Sequence, residues 1–195
     1  MQFKAASNFI LNKLEKELSP ILYYHGMHHT LEVFEMVQEI AFSEGNISDD
    51  DMELLKLAAL FHDSGFTEGF DVHEQRGVEI CRKHLPDFGF DEEAIAKISG
   101  MILATKIPQE PQNKLERIIC DADLDYLGRD DFYSIGKTLF DELQERQIIS
   151  SEEQWNKIQV SFLEGHEYHT KTNLKRRKEQ KDIYLEDLRK IVAAY

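Results

Sequence analysis

The chain has 195 residues, 42% of them hydrophobic and 31% charged, with a formal net charge of −14. That length is enough for a full hydrophobic core, and the composition is that of a folded globular protein. So acidic a surface excludes duplex DNA or RNA as an expected partner, but not a small phosphorylated molecule, because a bound metal can reverse the local field.

Strand signals are almost absent and helical periodicity runs nearly end to end. Residues 2–18 read as an amphipathic helix with Phe3, Ala6, Ile10 and Leu14 on one side, stopped by Ser19-Pro20. This stretch carries charges at short intervals and has no apolar h-region, so neither a signal peptide nor a membrane span is expected. A second helix is expected from about 26 to 44, and a third from Ser48, an N-cap with Asp51 three residues on, to His62. Residues 65–71 read as a loop broken by Gly65 and Gly69. Helices follow at about 73–84 and 91–105, then a loop around Pro108 and Pro111. A sixth helix carries the segment DADLDYLG and ends at Gly128; a seventh spans about 130–147. Ser151 with Gln154 forms a capping box for a helix over 152–167, and a last helix is expected over 173–193. The late helices are expected to pack through Trp155, Ile158, Phe162, Ile183, Leu188 and Ile191. No repeat or composition break marks a second domain, so 1–195 is read as a single all-α domain. Cys81 and Cys120 are too few for a disulfide framework and read as small core residues, which fits a reducing cytoplasm.

Three segments place imidazoles and carboxylates inside or beside apolar helical patterns: YYHGMHHTLEV, LAALFHDSGF and IICDADLDYLG. A buried charge without a partner is costly, so such positions point to a bound cation. At 100° per residue His29 falls roughly 60° from the centre of the Val33, Val37, Ile40 stripe and His28 about 160° away, so His29 faces inward. His25 shares the face of His29 one turn earlier. The stripe of Leu54, Ala58 and Phe61 drives the third helix inward, and His62-Asp63 comes where Ser64-Gly65 lets the backbone turn. Adjacent side chains on a regular helix diverge by about 100°, and a helix end relaxes that limit. In DADLDYLG the apolar face favours Asp123 or Asp125 over Asp121. Two imidazoles and two carboxylates suit a divalent cation, whether Mn, Fe, Mg, Ni, Co or Zn.

The order His…His-Asp…Asp on an all-helical chain resembles the HD superfamily of metal-dependent phosphohydrolases over roughly residues 20–130. The resemblance implies an HD-like helical bundle in which His29, His62, Asp63 and Asp123 are the metal ligands. It places His25 where the cyclic-nucleotide phosphodiesterases of the family carry a histidine general acid. After the His-Asp pair, cyclic-di-GMP hydrolases continue Ile-Gly-Lys; Ser64-Gly65-Phe66 here argues against that substrate. Some nucleotidases and stringent-response hydrolases carry an acidic group three or four residues after the Asp. Phe66 and Thr67 occupy those positions, and Glu68, one residue later, is the substitute. His73-Glu74 resembles the His-Glu that often follows in the family, and His73 is a candidate to approach a second metal or the substrate phosphate.

Past 150 the chain turns polar, and around 170–178 it holds a basic cluster. Lys171 and Lys178 read as a solvated helix face, whereas Arg176 and Arg177 are candidate phosphate contacts. The chemistry implied is hydrolysis of a phosphate ester, on a nucleotide or other small phosphorylated compound, with a metal that activates water and acts as a Lewis acid. His25 would supply the proton to the leaving oxygen. Two other readings use the same scaffold: a nucleotide-binding sensor without turnover, and a di-iron oxygenase, which needs histidines beyond the first site. The expected setting is cytoplasmic, with a small nucleotide-like partner, no nucleic-acid polymer, no membrane, and exposed late-helix aromatics free to pack in cis or across a homodimer.

Overall fold

The computed structural model describes residues 1–195 as ten α-helices joined by loops and short 3₁₀ turns, with no strand. They are α1 (Phe3–Glu17), α2 (Met27–Glu44), α3 (Asp49–Phe61), α4 (His73–His84) and α5 (Glu92–Ala104), followed by α6 (Lys114–Asp123), α7 (Phe132–Glu145), α8 (Glu152–Gly165), α9 (Lys171–Arg176) and α10 (Lys178–Val192). The all-α expectation holds. Starts are set by side-chain caps: Ser48 accepts from the Asp51 amide at 3.1 Å, and Asp91 accepts from the Ala94 amide at 2.9 Å. No helix is long and apolar enough to cross a membrane.

The main core packs α1 to α6 around α3. Leu54, Leu55, Leu57, Ala58, Ala59, Leu60 and Phe61 are all buried, so α3 is apolar on every side toward its C-terminus. A helix of that kind belongs at the centre of a bundle. Its last turn therefore delivers His62 and Asp63 into the interior, 0% and 5% exposed. A 3₁₀ turn over Ser64–Thr67 occupies part of the expected loop. Gly65 is required there, because a Cβ would lie 1.9 Å from the carbonyl oxygen of His73. That contact seats the N-terminus of α4 against the end of α3.

A second apolar cluster joins Tyr24, Leu124, Tyr126, Phe132, Leu163 and Leu188. Within the late helices, Trp155, Tyr184 and Leu188 are buried, while Ile158, Ile183 and Ile191 are 39%, 48% and 41% exposed, contrary to the sequence expectation for those isoleucines. The phase of α10 explains Ile183 and Ile191: Lys181, Tyr184 and Leu188 face the bundle, and the Lys181 ammonium is satisfied by the carbonyls of Leu163 and His166 at 3.1 and 2.5 Å.

Two expected helices are interrupted. α6 stops at Asp123 and tightens into a 3₁₀ turn over Asp125–Gly128. The final helix breaks at Arg177, whose backbone packs so close to Gly128 that a Cβ there would sit 2.3 Å from the Arg177 carbonyl oxygen. These two breaks meet each other. Asp121 accepts from the His169 amide, the Thr170 amide and the Thr170 hydroxyl at 2.8, 2.8 and 2.5 Å. Asp125 accepts two bonds from the Arg177 guanidinium, both 2.9 Å, and one from Asn173 at 3.1 Å.

Candidate metal centre

His29 reaches the centre from the first turn of α2, His62 and Asp63 from the end of α3, and Asp123 from the last residue of α6. The Nε2 atoms of His29 and His62 are 3.4 Å apart. Asp123 Oδ1 lies 3.0 Å from His29 Nε2 and 3.6 Å from His62 Nε2. Asp63 Oδ2 lies 3.2 Å from His62 Nε2 and 3.6 Å from His29 Nε2. The structure thus brings together the four side chains singled out from the sequence, while His28 is exposed.

The orientation of the His62 ring is set by its surroundings: Nδ1–H donates to the carbonyl of Ala59 at 2.8 Å, which turns Nε2 inward. Burial alone would lower the His62 pKa, but the adjacent carboxylates Asp63 and Asp123 raise it well above the ordinary value. Burial would likewise raise Asp63, yet His62 beside it holds the carboxyl far below the usual range. Asp123 shows the same opposition, with burial overcome by the bonds to His29 and His62, and falls to about 2. Asp63 Oδ2 is buried and has no hydrogen-bond partner. A buried carboxylate oxygen left unsatisfied is expensive. With the imidazole nitrogens of His29 and His62 and an oxygen of Asp123, it makes a donor set of two nitrogens and two oxygens whose chemistry fits a divalent cation. The group whose ligand atoms all lie within 4.8 Å of one another is His29, His62 and Asp123; Asp63 joins it through its contacts with the two imidazoles.

The other oxygen of Asp63 points elsewhere. Oδ1 lies 3.4 Å from His73 Nε2, which is in turn 3.6 Å from Glu74 Oε1. His73 is stacked on Phe66, with ring centroids 4.1 Å apart, and Phe66 also contacts the His25 ring at 4.6 Å. Phe66 therefore fills the place where an acidic residue was sought and holds two imidazoles in position. Burial lowers the His73 pKa despite Asp63 and Glu74 nearby.

His25 lines the cavity beside the centre, and Glu142 of α7 fixes it. The carboxylate bonds His25 Nδ1 at 2.6 Å through one oxygen and accepts the Tyr24 and His25 amides at 2.9 and 3.0 Å through the other. Burial would lower the His25 pKa, but the bond to Glu142, with Asp63 and Asp123 near, raises it. The sequence reading missed Glu142. Its signal was its phase, since it falls beside Ile135 and Leu139 on the apolar side of α7 and is 0% exposed.

Three expected site residues lie away from the centre. Glu68 is exposed after the 3₁₀ turn, which directs Phe66 inward and the next residues outward; it does not line the cavity. Arg177 is spent on Asp125 and ties α9 and α10 to α6. Arg176 sits on the surface and pairs with Glu39 at 3.3 Å. Of the three aspartates in DADLDYLG only Asp123 enters the centre, because Asp121 and Asp125 are occupied by the α9 fastening.

An all-helical bundle whose α2, α3 and α6 bring two histidines and two aspartates together presents a cluster that could hold a metal ion. The HD domain model matches residues 26–125, more than half the chain, and the chain belongs to the HD domain family. It is similar in structure to a protein described as a predicted HD superfamily hydrolase from an uncultured Thermotogales bacterium. That likeness has a TM-score of 0.62 and covers 96% of this chain and 91% of the other, at 23% identity. At that identity the likeness speaks for the fold. No curated protein matches the chain.

Proposed function

We propose that the protein is a metal-dependent phosphohydrolase that cleaves a phosphate ester of a nucleotide or other small phosphorylated compound. The observation that carries this reading is the buried Oδ2 of Asp63, without a hydrogen bond but 3.2 and 3.6 Å from the His62 and His29 imidazoles, next to Asp123 and a cavity that His25 lines. His29, His62, Asp63 and Asp123 would hold a divalent ion, which supplies a Lewis acid and a lowered pKa for water at this point. His73 stands beside the second oxygen of Asp63, with Glu74 next to its ring, where the phosphoryl group or a second cation would sit.

The chain's own contribution is proton delivery and orientation. In hydrolysis, water adds to phosphorus and releases a proton to solvent, the P–O ester bond breaks, and the electron pair leaves with the ester oxygen. His25, raised toward its protonated form by Glu142, gives that oxygen a proton, and an alcohol departs. Glu142 is a positioning residue: it fixes the ring through Nδ1 and leaves Nε2 toward the cavity. Membership of the HD family favours a hydrolytic reaction over binding alone. The strongly acidic surface favours a small substrate over a nucleic-acid polymer.

The test is release of phosphate from a panel of nucleotides and phosphomonoesters by metal-stripped protein resupplied with Mn, Mg, Co, Ni, Zn or Fe, with Asp63→Ala beside it. Turnover that depends on metal and is lost in the variant is expected. Full activity in Asp63→Ala under every metal condition would sink the reading.

A further inference from the structure

The cavity beside the metal centre is chemically divided. It has a volume of about 210 Å³ and begins at His25, Asp63 and Asp123. It then runs between α7 and α8, where Leu139, Leu143, Trp155, Ile158 and Phe162 form its walls. No lysine or arginine lines it. The nearby cations are engaged elsewhere: Arg177 with Asp125, Arg129 with Asp131 and Glu32, and Arg146 with Glu142 and over the Phe70 ring.

Little at the apolar end answers a polar ligand. Gln159 donates to Asn156 at 3.2 Å, and the Thr105 hydroxyl donates to the Ile102 carbonyl at 2.8 Å. The hydroxyls and base edges of a nucleoside would be buried here with few partners, at a cost of about 1–3 kcal/mol for each one left unmade. A polyphosphate would set several negative charges among Asp63, Asp123 and Glu74 with no lysine or arginine to help the bound cation and His25 offset them. Size points the same way. A cavity of ~150 Å³ accommodates a benzene ring, whereas drug-sized ligands need ≈ 300 Å³ or more.

Resting on the phosphohydrolase reading, we infer that the ligand of this centre carries one phosphoryl group on an apolar body about the size of an aromatic ring or short alkyl chain. The head lies at Asp63 and Asp123, and the body lies between α7 and α8. A phosphate monoester of an apolar alcohol or a phenol is therefore the substrate class, and nucleotides are not.

Trp155 is the only tryptophan in the chain and lines the apolar end, so its fluorescence reports occupation without any turnover. The full-length protein is titrated with methylphosphonate, hexylphosphonate, phenylphosphonate, AMP and ATP, with and without Mg²⁺. Hexylphosphonate is expected to bind roughly 50-fold tighter than methylphosphonate, the worth of about three buried methylenes, and tighter than AMP or ATP. Ile158→Asn changes a wall residue that is 39% exposed, so the fold is expected to survive, which circular dichroism checks. It is expected to shrink the hexyl-over-methyl ratio several-fold and leave methylphosphonate affinity unchanged. Equal affinity for the two alkylphosphonates, or AMP binding tighter than hexylphosphonate, overturns the inference. If no ester is hydrolysed while the hexyl-over-methyl preference stands, the hydrolase reading fails and the apolar-bodied anion remains the ligand.

Discussion

From α1 to α6 the bundle buries Ile10, Val37, Leu55, Phe61, Ile98 and Ile102 in one continuous apolar cluster. From α7 to α10 the apolar cluster is smaller, and buried polar groups take over the fastening: Asp125 with Arg177, Asp121 with Thr170, Lys181 with two carbonyls. The first region supplies every candidate metal ligand. The second supplies Glu142 and most of the apolar cavity wall. The two kinds of bonding meet in a single segment, because Asp121 and Asp125 flank Asp123. Apolar packing tolerates small shifts, whereas a bidentate pair specifies an orientation. The late helices are thus registered against the turn that carries Asp123 by directional bonds.

The largest expected effect separates site from fold. Asp63→Ala should lower metal affinity and hydrolysis by more than about 100-fold, since losing even an outer partner of a ligand typically costs 10–100-fold. Its far-ultraviolet circular dichroism should remain that of the parent, because the α3 core does not depend on this carboxylate. Metal content by mass spectrometry and phosphate release check the two halves of the statement. A variant that loses helicity in step with activity would place Asp63 in the fold instead.

Arg177→Ala attacks the fastening. It leaves Asp125, 1% exposed, with the Asn173 amide and a distant Arg129. Removing one partner of a buried pair costs about 3–5 kcal/mol, and the partial exposure of Arg177 puts this case at the lower end, about 3 kcal/mol. At this chain length that is a fall in Tm of about 6–12 °C. Calorimetry reads the loss, and a change below about 2 °C would mean the late helices are held by their apolar cluster alone.

The His25–Glu142 pair gives a pH-dependent test. Its histidine pKa is raised from the ordinary 6.5, so its contribution is complete below pH 6.5 and fades as pH climbs through the folded value. Burial alone would raise Glu142, but the bond to His25 and the two backbone amides lower it from 4.5. Its contribution is therefore complete above pH 4.5 and fades as pH falls through the folded value. The pair is fully effective between those limits. Glu142→Gln keeps the shape but removes the charge, so burial then dominates and the His25 pKa drops. The alkaline limb of the pH–kcat profile should move to lower pH, and kcat should fall more at pH 8 than at pH 6. A ring-proton titration of His25 by NMR reads the same shift directly; an unmoved titration would deny Glu142 this role.

Much of this was legible in the sequence where one helix decides the outcome. The stripe of Val33, Val37 and Ile40 oriented His29, and the apolar run before His62-Asp63 implied a buried helix end. Legibility failed where a second element decides. Asp123 and Asp125 are symmetric about the apolar face of α6, and only the arrival of Arg177 and Asn173, about 50 residues later, separates them. Glu142 meets His25 across 117 residues, which no local rule connects. Glu68 was placed by counting from Asp63, and the 3₁₀ turn changed the count's meaning by sending Phe66 inward.

The smallest effect is the sharpest control, because it compares neighbours. Arg176 and Arg177 are indistinguishable by composition and were expected to act alike on a phosphate. Arg176 instead pairs with Glu39 at 3.3 Å on the surface, with side-chain exposures of 36% and 55%. An exposed pair of this kind contributes about 0–1 kcal/mol, since solvent screens it and both side chains lose rotamer freedom. Arg176→Ala should therefore change Tm by no more than about 2 °C and leave kcat and KM within about twofold. If instead Arg176→Ala raises KM at unchanged kcat, the α9 surface takes part in substrate binding and the division between a fastening region and a site region is drawn in the wrong place. If only Arg177→Ala has consequences, the break between α9 and α10 exists to turn one arginine of the two inward.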